Sequence, residues 1–287
     1  MRNDAAGIAE LVRRCLAAGV TRAAIEATSV YHLKAARALS EAGIETCVAQ
    51  PRQARHFAQA LLKWDKSDEI DAFVLARLAQ ALDKPAPLAD VKFEALAEIM
   101  TYIEHLEERA AWLKTTLERY QDTRVRKAIE ADIKALQKRR KAELAKLEAR
   151  LRKDADLAER LELLLSIPGV AERTALGLLI RMPELGSMTR GQAAKLAGLA
   201  PQLSDSAKHN GERHIYGGRA RVRKTAFLAA FASAMQWNPD FKEFYQRLRK
   251  NGKAHTSAVT ACARKLIHLA NAVLQRGTPW TERSVMP

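Results

Sequence analysis

Residues 198–224 read GLAPQLSDSAKHNGERHIYGGRARVRK, which sets two serines, Ser204 and Ser206, among Lys208, Arg213, Arg219, Arg221, Arg223 and Lys224, with Asp205 and Glu212 as the acids of the stretch. A hydroxyl can attack a phosphodiester when it approaches in line, can lose its proton, and finds positive charge around the developing pentacoordinate phosphate. The cations meet the third requirement. Spacing alone does not choose between Ser204 and Ser206, and a serine in a polar turn is often simply a turn residue. His209 and His214 flank the serines, but a histidine in a basic loop contacts phosphate or ribose as readily as it relays protons, so neither is given a catalytic role.

Three acids in the first third of the chain form a second candidate group. Glu26 ends the strand-like run RAAIE, where a side chain projects from the carboxyl edge of a parallel sheet, the usual place for ligands in open α/β folds. Asp68 and Asp71 begin a helix in KSDEIDAFVLA, and their three-residue spacing puts both carboxylates on one face. Together they suit a hard divalent cation such as Mg²⁺. Against this, acids in the first turn of a helix are favoured by its dipole and by capping alone.

Stepping outward, residues 5–19 put Ile8, Leu11, Val12 and Leu16 on one helical face. Strand-like TRAAIEAT, a helix over 31–42 stopped by Gly43, strand-like IETCVAQP, and helices over 52–63 and 70–82 follow. Alternating helices and buried strands predict an α/β layer with a parallel sheet, ending at the prolines of DKPAPL near residue 88. From 89 to 160, Phe93, Leu96, Met100, Ile103, Leu106, Ala110, Leu113 and Leu117, then Val125, Ile129, Ile133, Leu136, Leu144, Leu147 and Leu151, recur at helical steps. That pattern predicts an antiparallel coiled-coil arm turning at YQDTR, with Arg140 on its apolar seam. Residues 161–287 then read as all-α: LLLSIPGVAERTALGLL has the helix-hairpin-helix pattern, in which Gly169 would let a phosphate approach the backbone. Residues 202–218 read as an irregular polar loop, with helices over 219–236, 239–249 and 255–275. Trp64, Trp112, Trp237 and Trp280 are too scattered to form a base-stacking platform.

A net charge of +15 over 287 residues favours a polyanionic partner, nucleic acid above all. Cys15, Cys47 and Cys262 lie too far apart in sequence for a metal-ligand pattern. They read as buried thiols in a reducing cytoplasm. The opening MRNDAAGIAELVRR is no signal peptide, and the longest apolar run, TAFLAAFASAM, is about half the ~20 residues that a bilayer requires. A soluble protein is expected.

Six stretches carry a resemblance that runs in order along the chain: EATSVY at 26–31, AQPRQARHFAQAL at 49–61, KSDEIDAFVLAR at 66–77, SIPGVAERTALGLL at 166–179, AGLAPQLSDSAKHNGERHIYGGRARVR at 197–223 and RGTPW at 276–280. They resemble insertion-sequence transposases of the one-hundred-and-ten type, relatives of the pilin-gene invertases. The resemblance implies a RuvC-like, RNase H-fold domain with a DEDD set of metal-binding acids, a coiled-coil arm, and a helical transposase domain with a serine nucleophile. It also implies a phosphoserine link to DNA, guidance by a bridging RNA, and action as a homo-oligomer. By motif, Glu26 matches the second acid, Asp68 and Asp71 the third and fourth, and Ser206 the nucleophile, which selects it over Ser204. The strands bearing the family's first aspartate have no match, so this chain is expected to begin after them. A non-catalytic nucleic-acid-binding remnant is the competing reading. Two further departures are Ser29 and Ala207, where the family has glycine. A side chain held at positive φ costs about 1 kcal/mol.

Overall fold

A computed structural model of the chain describes residues 2–65, 67–83, 88, 90–202, 205–206, 209–210, 214–232 and 238–281, with backbone alone at 205–206 and 209–210. The chain divides into two units, Met1–Asp90 and Val91–Pro287.

In the first unit, Asp4 caps α1 (Ala5–Ala17) by accepting a hydrogen bond from the Gly7 N–H at 2.8 Å. Strands β1 (Arg22–Glu26) and β2 (Glu45–Ala49) pair in parallel, Arg22 opposite Glu45 and Glu26 opposite Ala49. A parallel pair needs a crossover, supplied here by α2 (Tyr31–Glu41), after which Gly43 turns the chain at φ +83°. Helices α3 (Pro51–Ala60) and α4 (Asp68–Ala81) complete the unit. Arg22 donates to the carbonyls of Ala79 at 3.1 Å and Leu82 at 2.6 Å, tying the end of α4 to β1. Leu39, Ile44, Cys47, Val74 and Leu78 form a small buried core, while every residue of β1 stays partly exposed. Ser29, just beyond β1, takes φ +48°, the left-handed conformation that a glycine there would adopt without strain.

The second unit opens with α5 (Val91–Thr116), a short 3-10 turn (Leu117–Arg119) and α6 (Thr123–Leu151). Asp122 caps α6 by accepting from the N–H groups of Arg124 and Val125. The two helices run antiparallel: Arg140, on the seam as expected, donates to Glu107 at 3.2 Å, and Lys92 reaches Asp154 at 2.9 Å just past α6. Leu96, Met100, Ile103, Leu106, Leu144, Leu147 and Leu151 are buried, whereas Leu113, Val125, Ile129, Ile133 and Leu136 toward the tip are half-exposed. The root of the hairpin therefore shares one core with α7 (Ala155–Leu165), α8 (Glu172–Arg181), α9 (Arg190–Leu196), α10 (Ala220–Ala232), α11 (Pro239–Lys250) and α12 (His255–Arg276). The boundaries expected near 88 and 160 meet one division, at Asp90, and the hairpin falls in the same unit as the helices that follow it.

Within this unit α12 is the central rod, with Val259, Cys262, Leu266, Ile267 and Val273 fully buried. Its buried Asn271 accepts from the Gly186 N–H at 2.9 Å and donates to the Met188 carbonyl at 2.8 Å, fixing the α8–α9 connection. Buried Asn238 caps α11 and donates to the Pro168 carbonyl at 3.3 Å, so the Pro168-Gly169 turn, with Gly169 at φ +88°, docks on the start of α11. Within 202–218, expected to be irregular, the described residues include short paired strands. Strand β3 (Pro201–Gln202) pairs with β6 (His214–Ile215), and between them β4 (Asp205–Ser206) pairs with β5 (His209–Asn210), both antiparallel.

Candidate active site and nucleic-acid interface

The serine lies on a hairpin within a hairpin, with Ser206 opposite His209 in the inner ladder. The neck is held by main chain. Gly198 and Gly218, at φ +68° and +64°, approach so closely that a Cβ on Gly218 would stand 2.3 Å from the Gly198 nitrogen. The Arg223 guanidinium donates to the carbonyls of Gly217 at 2.8 Å and Gly198 at 3.3 Å, and the Arg219 N–H reaches the Leu196 carbonyl at 2.8 Å. Backbone contacts this short leave no room for any side chain, which accounts for glycine at both positions.

In sequence six cations stand against two acids of the same stretch, and the fold brings further acids to them. Arg219 makes a double hydrogen bond to Glu184, at 2.6 and 2.7 Å, and donates to the Arg181 carbonyl. Arg221 pairs with Glu104, and Lys224 with Glu108 at 2.8 Å. The same Glu104 takes Arg181 at 3.0 Å, and Glu107 takes Arg173 and Arg140. Of these groups Glu104, Glu107, Glu108, Arg173, Arg221 and Lys224 line a cleft of about 400 Å³ between the root of α5 and α10. Burial pushes the Arg181 guanidinium below its ordinary range, while the Glu104 charge opposes that shift. Burial raises the Glu184 carboxyl, but its hydrogen bonds to Arg219 prevail and hold it below the usual carboxylate range. Arg219, Arg221, Arg223 and Lys224, expected around the serine, are thus engaged by Glu184, Glu104, two carbonyls and Glu108. The missed signal was the run Glu104, Glu107, Glu108, whose three- and four-residue spacing places three carboxylates on one face of α5. Lys208 and Arg213 lie outside the described residues.

In the first unit, Glu26 ends β1 as expected. Asp68 and Asp71 occupy the first turn of α4, but Ser67 is the cap, its hydroxyl accepting from the Ile70 N–H at 3.2 Å. Neither aspartate serves as the cap. The three acids do not meet as a metal site: among the described residues no group of three or more His, Cys, Asp or Glu could hold an ion. The Mg²⁺ centre anticipated for Glu26, Asp68 and Asp71 is therefore not gathered among the described residues.

The cysteines are free thiols, Cys47 and Cys262 buried, and burial raises the Cys262 thiol to about 11. No helix among the described residues is long and apolar enough to cross a membrane.

The sequence that builds this parallel βαβ unit and the helices carrying the clamped serine hairpin matches known proteins of one class, the transposases. A DEDD transposase model of IS110 elements matches residues 1–123, and the model described as Transposase IS116/IS110/IS902 family matches residues 161–246. The chain belongs to this family of insertion-element transposases. It is 38% identical over 122 residues to the 43.6 kDa protein of insertion element IS110 from Streptomyces coelicolor, a match covering 42% of this chain and 30% of that protein. A pilin gene-inverting protein of Moraxella bovis is 24% identical over 274 residues, covering 90% of this chain and 81% of the relative. The 42 kDa protein of insertion element IS900 from Mycobacterium paratuberculosis is 31% identical over 119 residues, 40% of this chain and 29% of that protein. The chain thus aligns with about 30% of the length of the two insertion-element proteins.

Proposed function

We propose that the chain cuts and rejoins the DNA of an insertion element through a covalent link at Ser206. The Ser206 hydroxyl oxygen bonds to a DNA phosphorus and one bridging P–O bond breaks. The departing deoxyribose oxygen takes up a proton in place of the one the serine gives up. Attack by a sugar hydroxyl of another strand reverses these changes. The number of phosphate ester bonds is conserved throughout, so the exchange needs no external energy source.

The observation that carries this reading is the clamped neck. Gly198, Gly218 and Arg223 fix both ends of the segment that presents Ser206, which lowers the entropic cost of placing its hydroxyl in line. In this reading Lys208 and Arg213 of the loop supply charge to the phosphorane, while Arg219, Arg221, Arg223 and Lys224 act as scaffold. Met1–Asp90 is a RuvC-like, RNase H-like domain, and the helical hairpin is a coiled-coil arm. A bridging RNA from the same element guides the enzyme, and a homo-oligomer brings one protomer's acids to another's serine.

The test is to incubate the chain with DNA carrying an element end, together with the element's RNA, and to look on a denaturing gel for protein-linked DNA. Ser206→Ala should abolish the adduct and Ser204→Ala should leave it. An undiminished adduct in Ser206→Ala sinks the proposal.

A further inference from the structure

A second set of cations lies at the foot of the serine hairpin and has no part in the chemistry above. Thr256, Thr260, Arg264 and His268 recur at four-residue steps along α12 and so share one face. Where this face meets the β3–β6 stem there is a cleft of about 510 Å³, whose polar lining comes from His214, Lys253, Thr256, Ser257, Thr260 and Arg264. Among the described residues no carboxylate lines it. Among the described residues neither Lys253 nor Arg264 has an acidic partner, and nor does Arg190 at the start of α9.

Cations held together without counter-charge repel one another, so such a cleft is complementary to an anion. His268, on the same stripe, registers this field. Burial first, then the charges of Arg190 and Arg264, push it down to about 4. The lining also supplies donors suited to phosphate oxygens. Thr260 donates its proton to the Thr256 carbonyl at 2.8 Å, whereas the exposed hydroxyl-bearing Thr256 and Ser257 line the cleft beside it.

The length of the stripe separates a strand from a single phosphate. Thr256 and Arg264 are eight residues apart, roughly 12 Å along a helix, which is too long for one phosphate and suits neighbouring phosphates of one strand, whose charges recur every ~3.4 Å of duplex axis. The stem forms one wall of the cleft, and Ser206 follows Gln202 by four residues, a chain reach of at most about 14 Å. We infer that this cleft binds the phosphodiester backbone of the DNA strand presented to the serine, with Lys253 and Arg264 each neutralising a phosphate. The inference rests on the chain acting on DNA through the serine hairpin.

The test uses the full chain and fluorescently labelled DNA and RNA of one sequence, with binding followed by anisotropy across a salt series. The Lys253→Gln/Arg264→Gln double variant should lose at least about tenfold in DNA affinity. Its slope of log affinity against log salt should fall by about 1.8, the value for two phosphate contacts at roughly 0.9 each. RNA affinity should change less than about twofold. The Lys253→Arg/Arg264→Lys variant should hold DNA affinity within about threefold, which separates lost charge from a damaged fold. Arg13→Gln, in the first unit, controls for net charge and should bind as the parent does. Unchanged DNA affinity and slope in the Gln variant overturn the assignment, as does an equal or greater loss on RNA. The two proposals fail separately: no adduct with a cleft-dependent DNA affinity rejects the serine chemistry and keeps the cleft, and an adduct with unaltered cleft-variant binding does the reverse.

Discussion

Helices α10 and α12 both carry arginines and lysines on a polar face, yet the two faces are opposites. On α10, Arg221 and Lys224 meet Glu104 and Glu108 of α5, and Arg219, just before the helix, meets Glu184. On α12, Arg264 faces a cleft with no carboxylate among the described residues. A cation count along the sequence cannot tell these apart. The lesson is that a basic protein can use part of its charge internally, to fasten helices, and that the remainder marks where an external anion belongs.

The largest expected effect breaks the paired side. Glu104→Gln keeps shape but removes the charge that serves Arg181, Arg221 and, at longer range, Arg173. Because Arg181 is largely buried, with a side chain 15% exposed, leaving it under-compensated should cost about 3 kcal/mol, seen as a lower urea midpoint. If the midpoint does not move, the network is ornamental.

The next effect tests the unpaired side through pH. His268 titrates at about 4 in the folded chain and ordinarily at 6.5. Between those values the unfolded chain binds more protons, so stability falls as pH drops from about 6.5 toward 4. The group's share should be about 2 kcal/mol after allowing for its partial exposure, each pKa unit being worth about 1.4. Comparing His268→Gln with the parent across this range isolates that share. Arg264→Gln should raise the His268 pKa measured by NMR and change stability at neutral pH by less than about 0.5 kcal/mol. A loss as large as that of Glu104→Gln would mean that Arg264 has a structural partner after all.

The smallest effect lies at the rim of the paired cluster. Lys224 and Glu108 are both well exposed, at 62% and 58%, so Lys224→Gln should cost under about 0.5 kcal/mol. Thermal unfolding at low and high salt would check it.

Much of the fold was legible. The βαβ order, the hairpin seam with Arg140 upon it, and the Pro168-Gly169 turn follow from periodicity and from residues with narrow backbone preferences. Ser29 was legible too, as a side chain placed where the backbone goes left-handed. The β3–β6 and β4–β5 ladders were not, because two-residue strands have no period to detect. The ion pairs were hidden for a different reason: Glu104 and Arg221 are 117 residues apart, and nothing local couples them. The stripe Thr256, Thr260, Arg264, His268 went unread, because four-residue spacing within an apolar helix has no meaning until the surrounding charges are known. For the acids Glu26, Asp68 and Asp71 the sequence supplied strand-end and helix-start positions, and the structure keeps those positions without gathering the three carboxylates.

The contact between Gly198 and Gly218 has a modular consequence. Since the segment is gripped at its collar by main-chain atoms of Gly198 and Gly218, the eleven residues from Leu203 to Arg213 are a natural cartridge for exchange. Chimaeras that exchange this cartridge between relatives should keep the helical scaffold intact, so differences in joining behaviour could be assigned to the inserted tip itself.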